Sequence, residues 1–152
     1  MNFVGKLLRG ILERSAKKLT LDDLNTNLQS SGKKIVERFS TAADTPKNRA
    51  QANHVIGIER WGQRRLCVLL GEPYLRDEYD GYRPGDDKSM PELRGIFEQV
   101  REETIQLLSR IRDGQLEDQT VEHNDFGPMD ARTWLYYLES HAARESGRLS
   151  KS

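Results

Sequence analysis

The residues of this chain best suited to chemistry are its three histidines, His54, His123 and His141, and the carboxylate Glu145 one helical turn after the last of them. In "TWLYYLESHAARESGRL", His141 and Glu145 keep helical register with Trp134, Leu135 and Leu138, so both project from the apolar stripe of a helix. His54 shares a face with Ile58 and Trp61 on an earlier helical segment, so it also points inward. Two imidazoles and a carboxylate in a helical core would hold a divalent metal and leave positions open for water or substrate. A plainer reading stands beside this one. His-x-x-x-Glu occurs often on helices, and an inward histidine is commonly a core residue. An unpaired buried carboxylate costs several kcal/mol, so some cation must face Glu145. Arg64, Arg65 or Arg148 would serve as well as a metal ion.

Other reactive groups carry less. His123, in "HNDFGP", reads as a loop residue beside the turn formers Asn124 and Asp125. Tyr79, Tyr82 and Arg83 belong to "EPYLRDEYDGYRPGDDKS", which would either cover the mouth of a site and touch substrate or anchor a long loop. Cys67 lies beside Leu66 and Leu70 in helical register and reads as a buried thiol with no histidine near it in sequence. Neither a Gly-rich phosphate loop nor a nucleophile elbow is present. A single cysteine excludes an internal disulfide and a Cys-based zinc knuckle.

The elements that must position these groups are helical. Thr20 is a helix cap, followed by the stripe Leu21, Leu24, Leu28, Ile35, Val36 and Phe39 across Gly32. Thr45 before Pro46 opens a second helix, which carries His54 and stops at Gly71 and Pro73. Ser89 and Glu92 form a capping box for a third, with Leu93, Ile96, Phe97, Val100, Leu107, Leu108 and Ile111 inward and an end near Gly114. A fourth starts around Asp130. No segment alternates with period two for long enough to argue for a strand. The expectation is an all-α, four-helix bundle, residues 19–152, with a long connection between its second and third helices. A short amphipathic segment, residues 1–18, would precede it.

Charge narrows the partners. Lysine plus arginine and aspartate plus glutamate number 24 each, so the basic excess usual for nucleic-acid binding is missing. The balance is uneven along the chain. Residues 1–18 hold five cations against Glu13, and residues 72–87 hold six acids against Arg76 and Arg83, so the two segments are oppositely charged poles. Phe3, Val4, Leu7, Leu8, Ile11 and Leu12 are interrupted by Lys6 and Arg9 and make no membrane span or signal peptide. That segment reads as a lid on the bundle or on a second subunit, with a membrane-surface helix as the other option. The expected location is cytoplasmic.

"NHVIGIERWGQRRL" on the second helix and "FGPMDARTWLYYLESHAARESGRL" on the fourth together resemble the DinB-like (DinB/YfiT) superfamily of metalloenzymes, over about residues 20–149. The resemblance implies a four-helix bundle, frequently a homodimer. It further implies a divalent metal, zinc or nickel foremost with iron or manganese as options, held by three histidines. One matches His54, the next matches His141, and at the third this chain has Glu145. A carboxylate there makes the ligand set harder and more anionic, or marks a site that has lost its metal. The implied activity is that of a metal-dependent hydrolase or thiol-dependent transferase on a small molecule; the alternative is a non-catalytic dimeric scaffold or binding module.

Overall fold

The computed structural model describes residues 2–151. Among them the chain is mostly helical: α1 (Phe3–Lys17), α2 (Leu21–Thr41), α3 (Pro46–Leu69), α4 (Met90–Asp113) and α5 (Ala131–Ser146). The local causes of the helix starts are the ones the residue types imply. Thr20 and Asp23 cap α2 reciprocally, at 3.0 and 2.9 Å. The Thr45 hydroxyl accepts from the Asn48 N–H ahead of α3, with Pro46 at the first position. Ser89 accepts from the Glu92 N–H at α4, and Asp130 from the Thr133 N–H at α5.

Helix α3 is the central element, packed by α4, α5, a short strand at Thr120–His123 and a 3-10 turn at Tyr79–Tyr82. Helix α2 closes the far side against α4 and α5. Two apolar clusters fill the interior, one around Leu28, Trp61, Leu108 and Trp134, the other around Ile35, Phe39, Ile56 and Phe97. Close approach of α3 and α5 depends on Gly62, where a Cβ would stand 2.4 Å from the Leu138 side chain. Between the clusters runs a polar network. Arg101, 4% exposed, donates to both oxygens of Glu59, 1% exposed, at 2.9 and 2.8 Å. It also reaches the Leu28 carbonyl and Ser31, and Thr104 donates to Glu59, so the network ties α2, α3 and α4 together. Gly32, on α2, leaves room for Arg101, whose Cγ would lie 3.1 Å from an added Cβ.

Three expectations are corrected. The segment before α5, where no strand was expected, contains an antiparallel hairpin, β1 (Thr120–His123) and β2 (Gly127–Asp130), with Val121 paired to Met129 and both buried. Each strand has 4 residues, too few for alternation to stand out, and its turn relies on Gly127 at φ 77°. His123 is accordingly the last residue of β1 and 4% exposed, not a loop residue. Cys67 is half-buried rather than buried.

Helix α1 lies on α5 and β2. Gly5 makes the contact possible, since a Cβ there would meet the Asp125 carbonyl oxygen at 2.2 Å. Leu12 packs on the core and Ala16 is buried, but the rest of its apolar face is uncovered: Phe3 is 80% exposed and Val4, Leu7, Leu8 and Ile11 are 41 to 59% exposed. No helix among the described residues is long and apolar enough to cross a membrane.

Candidate metal centre

Along the α3/α5 interface the two helices run in opposite directions, because Gly62 meets Leu138, His54 meets His141, and Gln51 meets Glu145. The inward register of His141 and Glu145 is therefore realised against the start of α3. His141 is 6% exposed, Glu145 7% and His54 half-buried. Each of the three offers a ligand atom, and these atoms all lie within 4.8 Å of one another. The His54 and His141 rings are 5.1 Å apart, edge to face.

The end of α5 is braced from three sides, which fixes Glu145. Gln51 donates one amide N–H group to the Glu145 carbonyl at 2.8 Å and to its carboxylate Oε2 at 3.1 Å. Arg38 of α2 donates to the Ala143 carbonyl and to Ser146. Asn48 holds the chain beyond α5 through both its donor and acceptor on Ser150. Arg148 also sits on Oε2 of Glu145 at 3.0 Å, and Arg144 approaches Oε1 at 3.6 Å. The carboxylate thus has its cations from α5 and from the turn that follows it. Arg64 pairs instead with Glu72, and Arg65 with Asp77.

Electrostatics leaves the three groups in the protonation states a metal needs. Burial, reinforced by His54, Arg144 and Arg148 and opposed by Glu145, pushes His141 down to about 4. Burial likewise holds His54 below the ordinary imidazole value against the pull of Glu145. For Glu145, burial works to raise the carboxyl, but the Gln51 hydrogen bond and the charges of His141, Arg148 and His54 bring it below its usual value. Neutral imidazoles and an ionised carboxylate are what a divalent cation binds. His141 Nδ1 is buried without a hydrogen-bond partner among the described residues. Such a buried lone pair or N–H left unpaired is costly, and a bound ion would relieve it. The donor set and the orphaned nitrogen both fit a metal.

The loop candidates divide. Tyr79 lies edge to face against His54, ring centroids 5.5 Å apart, and the Arg83 guanidinium stacks over Tyr79 at 5.5 Å. Gly57, one turn after His54, allows this, since a Cβ there would come within 3.3 Å of the Tyr79 carbonyl oxygen. The Tyr82 hydroxyl donates to Asp77, and burial together with that partner pushes Tyr82 up to about 12. Asp77 also accepts from Arg65. Fully buried Arg65 donates further to the Glu122 carbonyl and Asn124, stacks on Trp61 and Tyr74, and so nails both the connection and the hairpin to α3.

Sequence reasoning missed Gln51 and Tyr137. Gln51 stands three positions before His54, in the same helical register, and a polar side chain there was the available signal. Tyr137, one turn before His141, places its ring 5.8 Å from the His141 ring and 5.1 Å from that of His123. His123 stays outside the cluster. Its Nδ1 accepts the Asp125 and Phe126 N–H groups, and Trp61, Phe126, Trp134 and Tyr137 enclose its ring.

Burial pushes His123 down to about 3, with Arg65 adding to the effect. His123 and His141 are both depressed from an unfolded value of about 6.5, so the folded state binds fewer protons and stability falls as pH drops below 6.5. Between pH 7.5 and 5.5 the metal-free protein is expected to lose about 1 kcal/mol per histidine. Urea denaturation at the two values checks this. His123→Phe should remove its share of the loss and leave that of His141 and His54, and equal stability at both pH values would contradict the burial of these rings.

A mostly helical domain with two imidazoles and a carboxylate gathered between two of its helices defines a class: all-α proteins built around a candidate metal centre. A model of the DinB superfamily matches residues 9–145, nearly the whole chain, and the chain belongs to that superfamily. No match was found among curated proteins or solved structures.

Proposed function

We propose that this protein is a metal-dependent enzyme, with one divalent ion held by His54, His141 and Glu145 between α3 and α5. The observation that carries the reading is the convergence of these three donors within 4.8 Å beside the orphaned His141 Nδ1. Helices α2 to α5 would form the four-helix bundle of the family, with α1 as an addition. A bound ion supplies Lewis-acid polarisation of a substrate oxygen or stabilisation of a substrate thiolate. The protein's own contribution is orientation. Gln51 and Arg148 hold Oε2 of Glu145 and Arg144 approaches Oε1, so the carboxylate that would ligate the ion is held in place from both oxygens. Tyr79 fixes the His54 ring, and Tyr79 and Arg83 form the rim on which a small substrate would rest. A hydrolase and a thiol-dependent transferase both use such a centre. Zinc and nickel suit the imidazoles, and the carboxylate admits iron or manganese as well.

A second reading is supported by the pairing of Glu145 with Arg148 and Gln51, which satisfies the carboxylate without a metal. The chain would then be a non-catalytic dimeric scaffold. Equilibrium titration of untagged protein with zinc, nickel, iron(II) and manganese separates the two. The enzyme reading expects about one ion per chain, with affinity at least 100-fold weaker in His141→Ala and about 10- to 100-fold weaker in Glu145→Ala. Substoichiometric binding that neither substitution alters would leave the scaffold.

A homodimer is proposed under either reading. Phe3, Val4, Leu7, Leu8 and Ile11 are an uncovered apolar face on a basic segment, while the acidic stretch 72–87 exposes Tyr74 and Leu75. The two surfaces complement each other in charge and in apolar character, so a second copy is the fitting occupant. Sedimentation should show a dimer that Leu7→Glu with Ile11→Glu converts to a monomer. A monomeric wild type would end the proposal.

A further inference from the structure

The rim of the candidate centre is more basic than a metal site requires. Two guanidiniums, those of Arg144 and Arg148, approach the single Glu145 carboxylate, which is already hydrogen-bonded by Gln51. The carboxylate side chain is 9% exposed, whereas Arg144 and Arg148 are 65% and 67% exposed, so most of their donor surface faces outward. A third guanidinium, Arg83, does not touch Glu145. It stacks over Tyr79, whose own ring lies edge to face against His54. The charges that bear on the two imidazoles are Glu145 and these three arginines. Asp125 is a further carboxylate near the cluster, and it acts on Tyr137. Three cations, joined by an ion's two positive charges, stand against one ligand carboxylate.

We propose that Arg83, Arg144 and Arg148 form an anion subsite beside the metal centre, and that the substrate is a small molecule carrying a carboxylate or phosphate. This rests on the metal-centre reading and names its substrate class. The guanidinium fork matches either anion through paired N–H donors, and arginine remains charged at any working pH. The arrangement draws an anion toward the centre by its field and then holds it from two sides. Arg83 reaches it from the connection between α3 and α4, and Arg144 and Arg148 from the end of α5. The anionic group would occupy the arginines, and the reacting part of the molecule would lie toward His54 and His141. Neutralising Glu145 alone does not account for the set, because Arg148 already does so, Gln51 adds a hydrogen bond, and Arg83 is elsewhere.

Calorimetric titration of inorganic phosphate and, separately, succinate into the zinc-loaded full chain tests this, with zinc content measured in every sample. Arg83 and Arg144 are exposed, so Arg83→Gln with Arg144→Gln is expected to fold and to keep wild-type zinc. It should bind the better of the two anions about tenfold more weakly than wild type. Arg94→Gln, on the exposed side of α4, should bind like wild type. Which anion binds more tightly tells a phosphate ligand from a carboxylate one. Wild-type affinity in the double variant, the same loss in Arg94→Gln, or no binding of either anion at millimolar concentration would overturn the proposal. Zinc at full occupancy with any of those results would leave the metal reading intact. A chain that takes up no metal but still loses anion affinity in the double variant would remove the metal and retain the subsite.

Discussion

Glu59→Ala is expected to destabilise the protein by about 3–5 kcal/mol, among the largest effects of any single substitution outside the apolar core. The reason lies in what it leaves behind. Arg101 keeps its charge at 4% exposure, with only the Leu28 carbonyl and Ser31 as acceptors, and Thr104 loses an acceptor. Water reaches the site poorly, so the guanidinium is stranded in a medium where charge is costly. Replacing both partners, Glu59→Leu with Arg101→Met, should recover most of the loss, because no buried charge then remains. The exposed pair Arg112–Asp22 gives the contrast. Asp22 is 83% exposed, and Asp22→Asn should change stability by no more than about 0.5 kcal/mol. Denaturant unfolding of these variants decides the matter. A loss below about 1 kcal/mol in Glu59→Ala would mean that the network is not closed to solvent.

The second large effect is thermal. An ion that binds the folded chain alone, present at about 100 times its dissociation constant, stabilises by about 2.7 kcal/mol. For a chain of this size that corresponds to a rise in Tm of about 5–10 °C. His54→Ala and His141→Ala should each abolish the rise. In the absence of metal, His141→Ala forfeits no hydrogen bond at Nδ1 among the described residues, so its loss of stability comes from the cavity left by the buried ring. Glu145→Gln keeps the Gln51 and Arg148 neighbourhood in place but weakens the ligand, so a reduced shift is expected. Differential scanning calorimetry with and without metal measures all of these. An identical rise in wild type and His141→Ala would place the ion elsewhere.

The helices and the clustering of His54, His141 and Glu145 were legible because they rest on long periodic signals. Thr20, Thr45 and Ser89 are capping residues in front of apolar stripes, and His54, His141 and Glu145 keep register with the apolar residues that α3 and α5 bury. What was not legible depends on pairings between distant segments. The β1–β2 hairpin has Val121 and Met129 inward but only a few residues per strand, and Gly127 in "DFGP" looks like any turn glycine. Arg65 and Arg101 look like surface charges in a helical pattern. Each is buried because an acceptor set from other elements meets it, Glu122, Asn124 and Asp77 for the first and Glu59, Leu28 and Ser31 for the second. The partner of Glu145 was one of several arginines on paper. Helical spacing favours Arg148, three residues on, and the antiparallel packing of α3 on α5 adds Gln51.

The proposed function turns on whether an ion sits between α3 and α5. The most direct measurement is anomalous diffraction at the metal edge from crystals grown with stoichiometric zinc. A metal-dependent enzyme of this kind gives one anomalous peak per chain, bounded by the imidazoles of His54 and His141 and the carboxylate of Glu145. A crystal with zinc only at surface sites, and with Glu145 still held by Arg148 and Gln51 alone, would contradict it.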